Sequence, residues 1–444
     1  MRLMRWIGLL IVVGVVTIAP GQSVHGGAPT APRAAPALGP WINVWMGMDD
    51  RYNYVEDVVY NHRHREYMVL YTTQQGPYTT DLWARRVGAD GSLRSWFNVA
   101  TSAGKTLANA RAAYSPARDR YLVVFVSQHS CTDWDVFAQF VPGDGTAPSP
   151  PWLPIATDPD MQRDPAIAYN SHTDEFLVAW TNGHNVTGPN PEYTVKLARV
   201  RASDGAVEGG VHTVPGGGLG VARSGPALAY NPTRNQYLIA YLAEAGAPGD
   251  IRCIVASADL ATFGTERHVW DHTTQWFAFG AHAGVAVDGY LVAWNVRELL
   301  SGPSPPQQNA YARHISGVGE PLGATSGTPI TAVSPPSFAE VSDTDYAPGY
   351  GYLTALAYGQ STGFEWDTYA AIVLPGAAAA PTPFAIDAAA TLAWGTVAAC
   401  APQGECLLAE TYQLDSSGLN KSDIRARFLY LRRVYLPAIR KAAG

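Results

Sequence analysis

Charge is scarce in this chain of 444 residues: Asp, Glu, Lys and Arg make up 15%, and the formal net charge is −7. Such a sparse, acidic balance leaves no footprint for nucleic acid, which is bound through clustered Lys and Arg. Cysteine is scarcer still, with four residues, so no dense disulfide framework holds the fold. Long apolar runs are missing after the N-terminus, and no later stretch approaches the roughly 20 residues that a membrane-spanning helix requires. Short signatures of known chemistry are also missing: H-E-x-x-H, a phosphate loop and S-x-D-x-G-x-x-W. Ser342-Asp343-Thr344-Asp345 opens like a calcium loop but lacks its Gly and distal Glu. Neither a cofactor nor a metal is therefore expected.

What is abundant is Gly (43), Pro (33), Tyr (23) and Trp (13), the composition of short strands joined by turns. The chain opens on Met1-Arg2-Leu3-Met4-Arg5 and an apolar run over residues 6–19, which reads as an export signal spanning residues 1–28. Residues 29–39, rich in Ala and Pro, read as a disordered lead-in, residues 40–431 as the folded body and residues 432–444 as a basic tail. Export predicts an oxidising compartment. Cys400 and Cys406, flanking one short turn, are then expected to form a disulfide. Cys253 lies inside an apolar strand and reads as a small buried hydrophobe, whereas Cys131 has no assignable partner.

The body is a repeat. Residues 164–200 show it cleanly: Pro165-Ala166-Ile167-Ala168-Tyr169-Asn170, a polar turn, Phe176-Leu177-Val178-Ala179-Trp180, a loop, then Thr194-Val195-Lys196-Leu197-Ala198-Arg199-Val200. The middle segment recurs seven times, beginning at Tyr67, Tyr121, Phe176, Tyr237, Tyr290, Tyr352 and Cys406, at spacings of 53 to 62 residues. These runs are continuously apolar rather than alternating, so both faces of the strand are covered by protein. Four antiparallel strands per copy at this period predict an all-β, seven-bladed propeller. The last copy lacks its fourth strand, and Pro40-Trp41-Ile42-Asn43-Val44 matches the fourth strand Ser95-Trp96-Phe97-Asn98-Val99. An N-terminal strand completing the last blade is therefore expected, leaving no open edge. A monomer is expected with it.

The counterparts Ala229-Tyr230-Asn231-Pro232, Phe176 to Trp180 and Asp135-Val136-Phe137-Ala138-Gln139-Phe140-Val141 resemble the blades of secreted bacterial seven-bladed β-propeller repeat proteins. That resemblance implies fold and extracellular location; the group has no single activity, so it implies no chemistry.

Function is read from residues that depart from the repeat. The carboxylates Asp81, Asp135, Asp250, Asp367 and Asp423 share one register and read as turn caps. Asp57 and Arg111 share a register on adjacent inner strands and read as an ion pair in the channel. Long connections between second and third strands, and between copies, put the expected site on their face. They carry Trp134, His184, Trp270, His272, Trp276, Arg297 and Trp366 as candidate ligand contacts, aromatic and polar groups of the kind that hold sugar rings. The competing reading is that these Trp and His side chains pack the loops down. An extracellular glycan or surface protein is the expected partner of a secreted binding protein. The alternatives are a carbohydrate-active enzyme and a structural envelope protein. A hydrolase would use Glu298 and Glu365, about 5 to 10 Å apart; a lyase would use His272 as base with Arg297 neutralising a uronate.

Overall fold

The computed structural model describes residues 36–46, 51–76, 78–148, 151–187, 192–216, 221–244, 249–271, 276–298, 308–331, 337–360, 366–376, 380–387, 392–413 and 422–431. Residues 1–28, read above as an export signal, residues 432–444, His272 and Glu365 lie outside them. Regular structure is all β-strand, and among the described residues no helix is long and apolar enough to cross a membrane.

Strands pair antiparallel in fours. In the first group Asn53–Asn61 pairs with Glu66–Gly76, that strand with Thr79–Gly88, and the latter with Leu93–Ala100. The same order recurs along the chain, with first strands Asn53–Asn61, Thr106–Ser115, Met161–Asn170, Ala222–Asn231, Trp276–Ala286, Ser337–Ala347 and Leu392–Cys400. Each first strand packs beside the next, and Leu392–Cys400 packs beside Asn53–Asn61. The last group draws on both ends of the chain: Ala37–Trp45 pairs with Asp423–Tyr430, matching Trp41 to Arg427 and Asn43 to Arg425.

The second strands explain why the groups stack. Alternate residues face opposite neighbours, so Tyr67, Val69 and Tyr71 pack with Leu407 and Ala409 of the last group, while Met68 and Leu70 pack with Tyr121 and Val123 of the next. All of these are fully or almost fully buried. At about 1.5–3 kcal/mol per large apolar side chain, neither face can be left open to water.

The turn after each first strand is stereotyped for a local reason. Asn61 Oδ1 accepts from the amides of Arg63 and His64, both at 3.0 Å, and Asn170 Oδ1 accepts from His172 at 2.9 Å. The preceding tyrosines brace the far side of the turn: Tyr114 donates to Asp119 at 2.8 Å, Tyr169 to Asp174 at 2.9 Å and Tyr230 to Asn235 at 2.8 Å. Asp119, Asp174 and Asn235 all take positive φ there.

Asp81 works over a longer range than a turn cap, whereas Asp135 holds the turn just before its own strand. Asp81 Oδ1 accepts from the Ser102 amide at 2.8 Å, and Asp135 meets His129 at 3.0 Å. They anchor connections, because a short carboxylate at a strand end reaches loop amides that have no ladder partner.

Cys400 and Cys406 are directly cross-strand and disulfide-bonded, with Cα atoms 4.0 Å apart. Cys253 is buried and Cys131 exposed, both as free thiols. Because the bridge closes a loop with a sequence separation of only 6, reduction should cost about 2 kcal/mol. Urea unfolding with and without reductant measures this; loss of the fold on reduction would contradict it.

Candidate functional site

A first strand is the inner edge of its group, so its backbone has no further ladder partner on that side. Side chains supply the missing acceptors. Asp57 Oδ1 accepts from its neighbour Val58 N at 2.9 Å and Oδ2 from Ala112 N of the next first strand at 2.8 Å. Asp343 repeats this with Thr344 and Ala398, at 2.8 and 2.9 Å, and Asp345 with Tyr346 and Cys400, at 2.8 and 2.7 Å. The calcium-like run Asp343 to Asp345 is therefore a pair of interstrand ties.

All of the first strands break register at one level: between Val55 and Asp57, Ala108 and Arg111, Arg163 and Ala166, Ser224 and Ala227, Phe279 and His282, Val341 and Asp343, and Trp394 and Val397. Bulges of this type turn a side chain out of its regular direction. At five of them a residue is left-handed: Asn109 (φ 54°), Asp164 (φ 53°), Gly225 (φ 57°), Gly280 (φ 61°) and Gly395 (φ 64°). Glycine takes this conformation without strain, and Asn and Asp tolerate it better than other residues, as Asp119, Asp174 and Asn235 do in the turns.

The bulges floor a cavity of about 880 Å³. Asp57, Arg111, Asp164, His282 and Asp343 lie at its base, Tyr60, Tyr114, Tyr169, Tyr230 and Tyr346 along its wall, and His62, Pro116, Ser171 and Pro232 at its upper edge. It thus extends toward the short turns, whereas the sequence argument placed the site on the face of long connections.

Asp57 and Arg111 share the cavity without pairing. Arg111 Nη1 instead donates to the carbonyls of Glu56 and of Ala110, the latter at 3.1 Å, and acts on Asp57 through its charge. Burial pushes Asp57 up to about 7, with Arg111 opposing and Asp343 adding to the rise. Burial likewise raises Asp343, and it takes Asp345 to about 6. Glu56, tied to Thr72 at 3.0 Å and the Ala110 amide at 3.1 Å, is pushed up to about 7 by burial.

Asp164 and His282 differ from these ties. Thr181 donates to Asp164 Oδ2 at 3.2 Å, Arg163 Nε lies 3.4 Å from the same oxygen, and Oδ1 has no partner among the described residues. Burial raises its carboxyl, opposed by Arg163. His282 is driven down to about 4 by burial and then by the charge of Arg111, and it bonds the Val341 backbone. It is therefore a neutral imidazole near pH 7, able to take a proton. Arg111, Asp164 and His282 are thus a cation, a carboxyl and a base around one cavity; Arg111 and His282 each also touch the backbone of the neighbouring first strand, at Glu56 and Val341, and Asp164 makes no such tie.

The loop candidates lie elsewhere. Trp270 is 7% exposed and packs in the core with Trp294 and Val296. Trp134 packs beside the cluster of Val136 and Trp180. His184 is exposed, and Asp160, bonded to it at 2.6 Å, raises its pKa. Backbone pairing sets Trp276 opposite Glu298 and Arg297 between Phe277 and Gln308, and Trp366 opposite Gly359; the Trp276 side chain is outside the described residues. Of these, the residues with described side chains do not line the cavity. Among the described residues Asp250, His268 and Asp271 bring potential metal ligands within 4.8 Å of one another, but Arg252 also lies on Asp250 at 3.5 Å.

The signal that was missed is a register. Counting three residues back from Tyr60, Tyr114 and Tyr346 reaches Asp57, Arg111 and Asp343, and the same step from Val285 reaches His282. His282 escapes notice because its strand has Val where five of the others have Tyr.

No protein-family model matches the chain, and no curated protein matches it. Among solved structures, it is similar to the polysaccharide lyase Uly1, with TM-score 0.57 and 10% identity over 89% of this chain and 100% of that one. An ulvan lyase of polysaccharide lyase family PL25 is similar at TM-score 0.45 and 11% identity, covering 70% and 81% of the two chains. The α-L-arabinofuranosidase Arb93A from Fusarium graminearum gives TM-score 0.42 and 12% identity, covering 72% and 92%. At 10% identity the likeness to the first of these is a likeness of fold.

Proposed function

We propose that the chain is a secreted seven-bladed β-propeller, closed by its N-terminal strand, and that it is a carbohydrate-active enzyme whose site is the central cavity. The contact series of first strands that returns from Leu392–Cys400 to Asn53–Asn61 supports the ring, and pairing of Ala37–Trp45 with Asp423–Tyr430 supports its closure. The disulfide supports an oxidising, extracellular location.

The observation that carries the activity is that Arg111, Asp164 and His282, from three different first strands, line one cavity. A base that is neutral at working pH and a carboxyl with a raised pKa suit proton transfer at a glycosidic linkage. The tyrosine wall offers apolar ring faces beside polar tips, which suits sugars. The shared fold with a polysaccharide lyase agrees with this reading.

Incubation with a broad panel of neutral and acidic polysaccharides should release new reducing ends. Absorbance near the ultraviolet edge separates elimination from hydrolysis. Ala112→Trp, at a lining position that also packs against the cluster of Leu70 and Tyr114, should abolish release in protein that thermal unfolding shows to be folded. Turnover that survives this change would place the chemistry elsewhere. Binding without turnover is a second reading, favoured by the full engagement of Asp57, Asp343 and Asp345 as ties; retention of a polysaccharide without product would select it.

A further inference from the structure

We infer that Arg111 anchors an acidic group, a carboxylate or a sulfate ester, on the sugar residue that enters the cavity. This rests on the glycan reading above and narrows its substrate class.

The argument begins with how arginines are used elsewhere in the fold. Arg199, Arg252 and Arg425 meet carboxylates at 3.3, 2.8 and 2.7 Å. Arg313 has no carboxylate but spends Nε, Nη1 and Nη2 on the carbonyls of Leu322, Val269 and Gly323. Arg111 does neither. It commits Nη1 alone to two carbonyls, and it makes no ion pair among the described residues. Its Nε and Nη2 have no partner among those residues, yet they are not sealed from solvent, and the side chain lines the cavity. The two carbonyl contacts fix the guanidinium plane and leave an unused edge, the fork that accepts an oxyanion through two parallel hydrogen bonds.

The groups around Arg111 decide when that fork can work. Glu56 and Asp57 face it from Asn53–Asn61, Asp164 from Met161–Asn170, His282 from Trp276–Ala286 and Asp343 from Ser337–Ala347. If all of the acids were ionised they would repel an anion. Burial raises all four carboxyls, Asp57 and Glu56 to about 7, so in mildly acidic solution less negative charge opposes Arg111. Raising the pH through about 7 ionises Asp57 and Glu56 and turns the cavity against an anion. Neutral His282 adds no charge in this range.

The test uses the full secreted chain and calorimetry with three oligosaccharides of one backbone: uronate-containing, carboxyl-reduced and sulfated. At pH 5.5 at least one acidic form should bind about ten- to a hundredfold tighter than the reduced form, the range of a charge-assisted hydrogen bond. The advantage should shrink at least about tenfold at pH 8 as charges of like sign build up. Arg111→Gln should erase it, and Arg111→Lys, which keeps the charge and loses the fork, should retain part. Thermal unfolding of both variants reports whether they are folded. Preference for the uronate or for the sulfate identifies the group. Equal binding of the reduced form, or a preference that survives Arg111→Gln in folded protein, overturns the inference while leaving the glycan reading intact. If none of the three, nor any polysaccharide of the wider panel, is bound or cleaved, both fall.

Discussion

Replacing His282 with alanine is expected to lower the rate of glycan cleavage about 10²- to 10⁴-fold, the usual contribution of a positioned general acid or base, in protein that thermal unfolding shows to be folded. The side chain sits at a register break that turns it into the cavity, and its pKa, lowered to about 4 by burial, keeps the ring unprotonated through the neutral range. Protonation removes the base. The wild-type rate should therefore fall as pH drops through about 4, and the alanine variant should lose that limb. A variant within about threefold of wild type would remove His282 from the chemistry and, with it, the main reason to prefer an enzyme over a binder.

Arg425→Ala should be the most destabilising substitution outside the apolar core, costing about 3–5 kcal/mol, as expected when one member of a buried ionic cluster is removed. Arg425 is 9% exposed, bonds Glu410 at 2.7 Å and meets Asp387, while Thr368 completes Glu410 at 2.5 Å. Its guanidinium also lies 4.0 Å from the ring centroid of Trp41. Arg427 lies 4.6 Å from the same ring and donates to the Gly39 carbonyl at 2.7 Å. Trp41 is thereby clasped between cations from the opposite end of the chain, and burial, which pushes Glu410 up, leaves that carboxylate costly without its partner. Denaturant unfolding of Arg425→Ala beside Trp41→Ala tests this. A loss below about 1 kcal/mol in the arginine variant would mean the cluster is as weak as an exposed ion pair.

The strand groups were legible because apolar runs such as Tyr67 to Tyr71 have both faces buried, a pattern with one physical cause. The match of Trp41 to Trp96 located the N-terminal strand because both occupy outer positions facing the same kind of neighbour. The cavity base was less legible. Asp164 and His282 stand where the chain leaves regular register, and a bulge is set by left-handed residues that composition does not announce. The loop aromatics drew attention by being irregular, but Trp270 shows that an irregular connection can simply fold its indole into the core.

Because the Gly39 carbonyl is held by a residue 388 positions away, the last four-stranded group cannot be finished until the newest part of the chain meets the oldest. Such a distant contact is a slow step in folding, since loop closure comes before its reward. An exported chain would therefore pass through a long-lived intermediate in which Ala37–Trp45 waits unpaired. The time to reach activity after dilution from denaturant should follow the burial of Trp41, rather than the earlier appearance of sheet.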